Sequence, residues 1–248
     1  MMDRKAGLYE AYRLPYPIEP VDEVLAEIGA VECVADIGAG TGQLARIFAG
    51  RVERCWAVEP SVGMRQVAKE ALVDLGNVEV WEGSAESTGL PDDSVDLIVV
   101  GNAFHRFREE CADEFRRIVK PGGWCAVFSY GFTNGAFSDY LFSRLSALAG
   151  LSRRTRQNWH RLSTDILLEP DCTKILNYDT ENAQSWEAYF GAACSGVESP
   201  EPDDPEFAEF EAINRDAFEH FSENGTIRME YATTVVLGQP SDRSAASS

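Results

Sequence analysis

Histidine and basic residues are scarce in this sequence, and each shortage argues against one class of binding site. Only three histidines occur in 248 residues, at positions 105, 160 and 220. None of them lies at metal-ligand spacing from another histidine or a cysteine, so we expect no metal site. Lys and Arg number 22 against 41 Asp and Glu, which gives a formal net charge of −19. Because a nucleic-acid backbone is held by clustered basic side chains, we expect no nucleic-acid partner.

Paired cysteines and long apolar runs are also missing. The six cysteines lie far apart without a Cys-x-x-Cys pair, and Cys33, Cys55 and Cys125 stand inside apolar runs. Buried reduced thiols of this kind suit a reducing compartment, so we expect a cytoplasmic protein. No apolar run approaches the about 18 residues of a membrane span, and the first residues lack the apolar core of a signal peptide. We therefore expect neither export nor a membrane partner, and the sequence leaves monomer and homodimer equally open.

The most informative feature that the chain does contain is a glycine-rich turn. The stretch from Val34 to Leu44 reads VADIGAGTGQL, an apolar β-branched run that leads to glycines at positions 38, 40 and 42. A helical pattern of apolar residues starts at once with Leu44 and Ile47. Glycine allows the backbone angles of a tight turn and lets a ligand lie against the main chain. The stretch therefore predicts a strand, a turn that binds a small molecule, and a helix.

The spacing of these glycines separates two cofactor classes. A dinucleotide fingerprint reads G-x-G-x-x-G, whereas Gly42 comes one place earlier here and Gln43 follows it. With Asp36 two residues before Gly38, the stretch resembles motif I, D-x-G-x-G-x-G, of the class I, Rossmann-like S-adenosylmethionine-dependent methyltransferases, in particular the small-molecule type with a type 11 methyltransferase domain. An NAD-dependent oxidoreductase is the alternative, and the absence of a Tyr-x-x-x-Lys pair also disfavours it.

Two further stretches carry the same resemblance and occur in the order found in that family. Residues 116–123 read RRIVKPGG and resemble the helix end and turn before the fifth strand. Residues 13–17 read RLPYP and are similar to the Arg-Pro-x-Tyr-Pro opening of one branch of the family. The resemblance covers residues 30–130 closely and the remainder loosely.

The expected fold is an α/β, seven-stranded Rossmann-like sandwich with a mostly parallel sheet, a last strand that runs antiparallel beside the sixth, and helical cap insertions. We expect one domain over residues 1–240, with its core at 21–130, cap insertions within 131–225, and a disordered tail at 241–248. The pattern predicts a turn at 120–123 before a fifth strand at 124–130. It also predicts mainly helix over 131–171 and a sixth strand at 174–178.

The resemblance implies S-adenosylmethionine as cofactor and S-adenosylhomocysteine as product. Glu59 ends the second apolar run, where a carboxylate can accept hydrogen bonds from both ribose hydroxyls. Ser84 stands where the family usually has an aspartate for the adenine amino group, and a hydroxyl accepts more weakly. We therefore expect either lower cofactor affinity or recognition by the neighbouring main chain. The residues expected to bind the cofactor are Tyr9, Arg13, Asp36, Gly38, Ala39, Gly40, Gln43, Glu59, Pro60, Met64, Ser84, Ala85, Glu86, Asn102 and Ala103. By its apolar pattern alone, Met64 is instead a core residue of a helix.

His105 is the candidate catalytic residue, because its loop follows the fourth predicted strand, where ligands of open α/β sheets bind. Its imidazole could act as general base or orient the substrate, and it could equally satisfy loop backbone. Arg106 replaces a tryptophan common in relatives and could adapt the pocket to a polar or anionic substrate. The residues expected to bind substrate are Tyr12, Tyr16, His105, Arg106, Tyr140, Trp159, Trp186 and Tyr189.

The predicted function is transfer of a methyl group from S-adenosylmethionine to an oxygen, nitrogen or carbon nucleophile of a small molecule, in a setting such as secondary metabolism. Such an in-line displacement mainly requires the reacting atoms to be aligned and dry. The alternative from another class is a sensor or scaffold that binds the cofactor without methyl transfer, which the change to Ser84 permits. The acceptor itself cannot be read from the sequence.

Overall fold

The computed structural model describes residues 2–148 and 162–241, which form a seven-stranded sheet with helices. The strands are β1 (Cys33–Ile37), β2 (Arg54–Glu59), β3 (Val78–Glu82), β4 (Val95–Gly101), β5 (Val119–Phe132), β6 (Lys174–Ser185) and β7 (Thr226–Gly238). The α-helices of the described residues are α1 (Met2–Tyr12), α2 (Glu19–Ile28), α3 (Gln43–Ala49), α4 (Val62–Ala71), α5 (Cys111–Ile118), α6 (Gly135–Leu145), α7 (Trp186–Cys194) and α8 (Phe207–Phe221).

The strand order is β3-β2-β1-β4-β5-β7-β6. β1 pairs in parallel with both β2 and β4, and the pairs β2 with β3 and β4 with β5 are also parallel. β7 runs antiparallel to β5, since Ser129 Oγ bonds the Thr234 carbonyl while the Thr133 N–H bonds the Glu230 carbonyl. The predicted mostly parallel seven-stranded sheet with an antiparallel last strand beside the sixth is confirmed.

The chain forms two compact units. The core unit comprises residues 16–129, 160–178 and 233–248, and the helical unit comprises residues 1–15, 130–159 and 179–232. β5, β6 and β7 contribute residues to both units. The single domain expected over residues 1–240 stays a prediction, and residues 242–248 of the expected tail lie outside the described residues.

The two central strands of the core unit, β1 and β4, are buried along nearly their whole length. All five residues of β1 are buried, as are most residues of β4, which is the burial expected of parallel strands covered by helices on both faces. Ile37, Ile98 and Phe115 belong to one apolar cluster here. After β1 the chain adds β2 and β3 on one side of it and then crosses over to add β4 on the other side, so the strand order reverses at β1. Ligands of α/β proteins bind at the carboxyl ends of the strands at such a point.

The helical unit is organised around a second apolar cluster. Phe137 and Leu141 of α6, Phe210 and Phe218 of α8 and Met229 of β7 belong to this cluster. β7 alternates buried and exposed residues along its length, the pattern of a strand with one covered face.

Buried polar contacts also hold the helical unit together. The side chain of Lys5 on α1 is 3% exposed, and its ammonium donates to the carbonyls of Gly196 at 2.6 Å and Ser199 at 2.5 Å. Because a buried ammonium needs such acceptors, these hydrogen bonds hold α1 against the loop that follows α7. No described helix is both long and apolar enough to cross a bilayer.

Three predicted boundaries are wrong. β5 begins at Val119, directly after α5, instead of at Trp124, and the expected turn at 120–123 is an irregularity inside the strand where its register against β4 shifts. β6 continues to Ser185 instead of ending at Tyr178; its mostly exposed polar residues gave no apolar signal. The expected helical stretch over 131–171 contains α6 and two short 3₁₀ turns, Thr164–Ile166 and Pro170–Cys172, and residues 149–161 lie outside the description.

Candidate functional site

The glycine turn after β1 has the backbone that its sequence predicts. Gly38, Gly40 and Gly42 all have positive φ, at +73°, +59° and +86°. A Cβ on Gly38 would lie 2.8 Å from the Ala103 Cβ, and one on Gly42 would lie 2.5 Å from the Leu72 side chain. A Cβ on Gly40 would meet no described atom within 4 Å. Gly38 and Gly42 therefore serve packing, whereas the face of Gly40 is open to a ligand.

Asp36 supports this turn from inside the core. Its side chain is buried, and one carboxylate oxygen accepts the Ala45 N–H in the first turn of α3 at 2.9 Å. Gly42 precedes α3 and has no side chain to cap it, so Asp36 supplies the cap from β1. Burial raises the pKa of Asp36 to about 7, against the lowering effect of the Ala45 N–H and with a further increase from the charge of Glu59. This contact makes Asp36 a positioning residue for the turn.

Glu59, the last residue of β2, joins two neighbouring turns. One carboxylate oxygen accepts the Gly40 N–H and the other accepts the Ser61 N–H, both at 2.9 Å. Burial raises the pKa of this carboxyl group, while these two N–H groups and the charges of Arg65 and Arg106 act to lower it. Since a carboxylate has about four lone-pair positions, acceptor capacity remains for ligand hydroxyls.

The loop after β2 is held by Arg65 of α4. Its guanidinium donates to the carbonyls of Glu59 and Pro60 at 2.9 and 2.7 Å and forms an ion pair with Glu82 at 2.9 Å. Met64 on the same helix is 1% exposed, which agrees with the interpretation of this residue as helix core. These contacts fix the backbone around Glu59.

The loop after β3 contains Ser84, Ala85 and Glu86. Ser84 and Ser87 exchange backbone hydrogen bonds, and Ala85 is buried in the apolar cluster of the core unit. Glu86 accepts the Arg108 N–H at 2.9 Å and the Ser84 hydroxyl. Burial alone would raise the pKa of Glu86, but these hydrogen bonds outweigh it and the pKa is lowered. The Ser84 hydroxyl oxygen has two lone pairs and can accept a hydrogen bond from a ligand.

The loop after β4 carries the candidate base. Asn102 has a positive φ of +49°, uncommon for a residue other than glycine and frequent at functional sites. The 3₁₀ turn Phe104–Arg106 follows, with His105 partly buried and Arg106 exposed. A Cβ on Gly101 would lie 2.8 Å from the Tyr16 hydroxyl oxygen, so Tyr16 covers this end of β4.

The core unit thus brings together most of the predicted site residues. The turns after β1, β2, β3 and β4 lie at the carboxyl ends of adjacent strands. They contain or support the predicted cofactor residues Asp36, Gly38, Ala39, Gly40, Gln43, Glu59, Pro60, Met64, Ser84, Ala85, Glu86, Asn102 and Ala103, and Tyr16, His105 and Arg106 lie in the same unit. Within residues 2–148 and 162–241, no group of three metal-ligating side chains is placed to hold an ion.

The helical unit contains a cavity of about 580 Å³ that the sequence analysis did not identify. Every described residue that lines it belongs to this unit. Of the predicted site residues that the structure describes, Arg13 and Tyr189 line the cavity. Gln184, Ser138 and Asn214 line it as well and were missed; continuing the alternation of β6 as far as Ser185 is the signal that would have singled out Gln184.

The other predicted site residues of the helical unit that the structure describes make hydrogen bonds or ring contacts with neighbouring side chains. The Tyr140 hydroxyl donates to Asp216 at 2.8 Å, and Trp186 stacks on Phe190 with ring centroids 4.7 Å apart. The Tyr12 hydroxyl donates to Glu187 at 3.2 Å. The remaining predicted residue of α1, Tyr9, has the Arg13 guanidinium over its ring. Trp159 lies outside the described residues.

A protein-family model described as a methyltransferase domain matches residues 35–127. This segment extends from β1 into β5 and includes the four loops described above. The family expected from the glycine turn is confirmed for this part of the chain.

Several curated relatives match about half of this chain. An uncharacterized methyltransferase of Schizosaccharomyces pombe is 36% identical over 123 residues, 48% of each chain. The ubiquinone/menaquinone biosynthesis C-methyltransferase UbiE of Hahella chejuensis is 26% identical over 151 residues, 56% of this chain and 61% of its own. The matches span about half the length of these curated relatives.

Two solved structures extend the similarity in fold to most of the chain. A protein of Anaeromyxobacter dehalogenans, provisionally assigned as a type II methyltransferase, gives a TM-score of 0.61 at 22% identity and covers 92% of this chain and 98% of its own. YcgJ of Bacillus subtilis gives a TM-score of 0.53 at 19% identity, with coverage of 88% and 99%. At these identities the comparison supports the fold.

Proposed function

Because residues 35–127 form a methyltransferase domain of the Rossmann-like, S-adenosylmethionine-dependent class, we propose that this protein transfers a methyl group from S-adenosylmethionine to a small-molecule acceptor. The observation that carries the proposal is the contact between Gly40 and Glu59. It places an open, side-chain-free stretch of backbone next to a buried carboxylate at the ends of β1 and β2.

The residues of the core unit fit such a cofactor. Gly40 leaves room against the main chain, and Glu59 keeps acceptor capacity for the two ribose hydroxyls. The backbone of Ala85 and the Ser84 oxygen are the candidates for the adenine. When bound, the cofactor supplies a methyl group on a positively charged sulfur. Asp36 acts indirectly, because its carboxylate holds α3 and therefore the turn.

The protein's own part in the reaction is to position the acceptor, exclude water and, where needed, take up a proton. We propose His105 for the proton, because its loop follows β4 beside the glycine turn. His105→Gln should lower kcat by about 100-fold or more and remove a limb of the pH–rate profile, while S-adenosylhomocysteine affinity stays unchanged. An unaltered pH profile would assign His105 to positioning alone.

The acceptor atom is also a proposal. UbiE is named as a C-methyltransferase of ubiquinone and menaquinone biosynthesis, which makes a carbon nucleophile the first acceptor type to test. Oxygen and nitrogen acceptors remain part of the test, since the similarity covers only part of that relative.

The experiment combines calorimetry with S-adenosylhomocysteine and transfer of labelled methyl to a panel of oxygen, nitrogen and carbon acceptors. We expect binding by the native protein and at least about tenfold weaker binding by Gly40→Val, because φ is +59° there and the new side chain would occupy the open face. Gly50→Ala is the matched control; its φ of −72° suits alanine and no described atom crowds it.

Each alternative gives its own result in these assays. Binding of NAD instead of S-adenosylhomocysteine would overturn the proposal in favour of an oxidoreductase. Binding of S-adenosylhomocysteine without transfer to any acceptor would favour a sensor or scaffold.

A further inference from the structure

The cavity of the helical unit has the size of a ligand site. Its volume is about 580 Å³. Ligand sites for drug-sized molecules typically measure about 300–1,000 Å³. Several of its lining residues belong to the apolar cluster of the helical unit, so the cavity offers an apolar surface of a size that suits a ligand.

The walls are mainly aromatic and aliphatic. The aromatic residues that line the cavity are Tyr130, Phe132, Phe137, Phe142, Tyr189 and Phe210. Leu141, Leu145 and Met229 add aliphatic surface. Aromatic rings favour other rings in offset or edge-to-face contact. A mostly apolar, ring-containing molecule is therefore the class of ligand that these walls fit.

The Gln184 amide is the largest polar side-chain group of the wall that is available to such a ligand. Gln184 lines the cavity, is 6% exposed, and makes no side-chain hydrogen bond to any residue that the structure describes. A ligand in the cavity can supply this amide with a donor or an acceptor. Because the amide has both functions, it suits a hydroxyl or a carbonyl group.

Two other polar groups of the cavity, those of Tyr189 and Asn214, are already paired, whereas the Ser138 hydroxyl makes no hydrogen bond to a described residue. The Tyr189 hydroxyl donates to Asn214 Oδ1 at 2.8 Å, and Asn214 Nδ2 donates to the Phe210 carbonyl at 2.8 Å. Among the described residues this leaves Gln184 and Ser138, of which the Gln184 amide offers both a donor and an acceptor to a polar substituent.

The charges of the lining favour a neutral ligand. Among the described lining residues the charged side chains are Arg13 and Glu198, whose opposite signs cancel in formal charge. The Arg13 guanidinium lies over the rings of Tyr9 and Tyr130, 5.3 and 5.6 Å from their centroids. The chain as a whole has a net charge of −19 and would repel an anion.

We infer that the cavity of the helical unit binds a neutral aromatic molecule whose hydroxyl or carbonyl group is hydrogen-bonded by Gln184, and that this is the chemical class of the acceptor. The assignment as acceptor rests on the proposed function, whereas the binding claim does not. Gln184 is therefore a specificity residue.

The test measures binding of 4-phenylphenol, biphenyl and biphenyl-4-carboxylate by equilibrium dialysis with the full chain. We expect 4-phenylphenol to bind about 3- to 10-fold more tightly than biphenyl, the contribution of one neutral hydrogen bond, and the carboxylate to bind most weakly. Gln184→Leu should diminish the preference for 4-phenylphenol over biphenyl. Asn182→Leu is the matched control, two residues earlier on β6 and outside the lining.

Ala193→Phe tests the location, because it adds a ring at a lining position without removing a polar group. It should abolish binding of all three compounds, with unchanged circular dichroism and S-adenosylhomocysteine affinity as evidence of folding. Tighter binding of the carboxylate, no binding by the native protein, or an undiminished preference in Gln184→Leu would overturn the inference. Binding of S-adenosylhomocysteine with no binding of 4-phenylphenol would overturn this inference alone, whereas the reverse would overturn the proposed function and leave the cavity assignment in place.

Discussion

At the scale of single residues, Glu59 links the glycine turn to the end of β2. Its carboxylate holds the N–H groups of Gly40 and Ser61 in place before any ligand is present. We expect Glu59→Ala to weaken S-adenosylhomocysteine binding by about tenfold or more, since a charged hydrogen bond contributes about 1.5–3 kcal/mol. Calorimetry is the measurement, and Glu79→Ala on the exposed face of β3 is the control. Equal affinities of Glu59→Ala and native protein would remove Glu59 from the site.

Asp36 makes the free energy of unfolding depend on pH. Its pKa is about 7 in the folded chain and 3.8 as the ordinary value, mainly because the carboxylate is desolvated. The folded state therefore binds the proton more tightly, and its stability falls as pH rises between about 4 and 7. Between these pH values the free energy of unfolding of the native protein should fall by on the order of a few kcal/mol more than that of Asp36→Asn.

The measurement for Asp36 is urea unfolding at pH 5 and pH 8. Asn retains an oxygen for the Ala45 N–H but has no proton to release, so comparing the two proteins isolates this group from the other carboxylates. If the free energy of unfolding changed with pH equally in native protein and Asp36→Asn, the raised pKa of Asp36 would be contradicted.

At the scale of elements, α1 packs against α7 through a glycine. A Cβ on Gly191 would lie 2.4–2.7 Å from the ring of Tyr12, so only glycine permits this distance between the two helices. We expect Gly191→Ala to lower the free energy of unfolding by about 1–3 kcal/mol through overpacking. Gly7→Ala on α1, where no described atom lies within 4 Å, should instead raise it by up to about 1 kcal/mol.

Denaturant unfolding of these two variants measures both effects. The pair controls for helix propensity, because both substitutions replace a helical glycine by the best helix former. Stabilisation by Gly191→Ala would show that α1 does not pack on α7 in solution.

At the scale of the whole molecule, the formal charge of −19 acts against the compact state. Ion pairs such as Arg228–Glu181 and Arg54–Glu79 are largely exposed and contribute little. Raising NaCl from about 0.01 M to about 0.1 M shortens the Debye length from about 30 to about 10 Å. We therefore expect the unfolding temperature to rise by on the order of a few degrees.

A thermal scan in the two salt concentrations checks this prediction. Glucose at the same osmolality is the control, because it changes the solution without screening charge. A constant or lower unfolding temperature in salt would mean that the exposed ion pairs outweigh the repulsion.

The sequence by itself determined the order of strands and helices in the core unit and the glycine turn at its centre. These features depend on neighbouring residues: apolar periodicity distinguishes strand from helix, and three glycines at alternate positions permit a left-handed backbone. The motif that resembles the methyltransferases lies within the same short stretch. For this reason the fold and the family could be predicted from the sequence, whereas the role of the turn stays a prediction.

Only the tertiary structure decided which side chains meet. Asp36 carries the motif's acid, yet its contact with Ala45 becomes visible only when α3 is folded back on β1. Gln184 lies in a polar stretch of β6 where the alternation of the strand is the one local signal, and the cavity that it lines is built from residues near positions 13, 138, 184, 210 and 229. Such a site exists because segments far apart in the chain converge, and local patterns in a single sequence do not record that convergence.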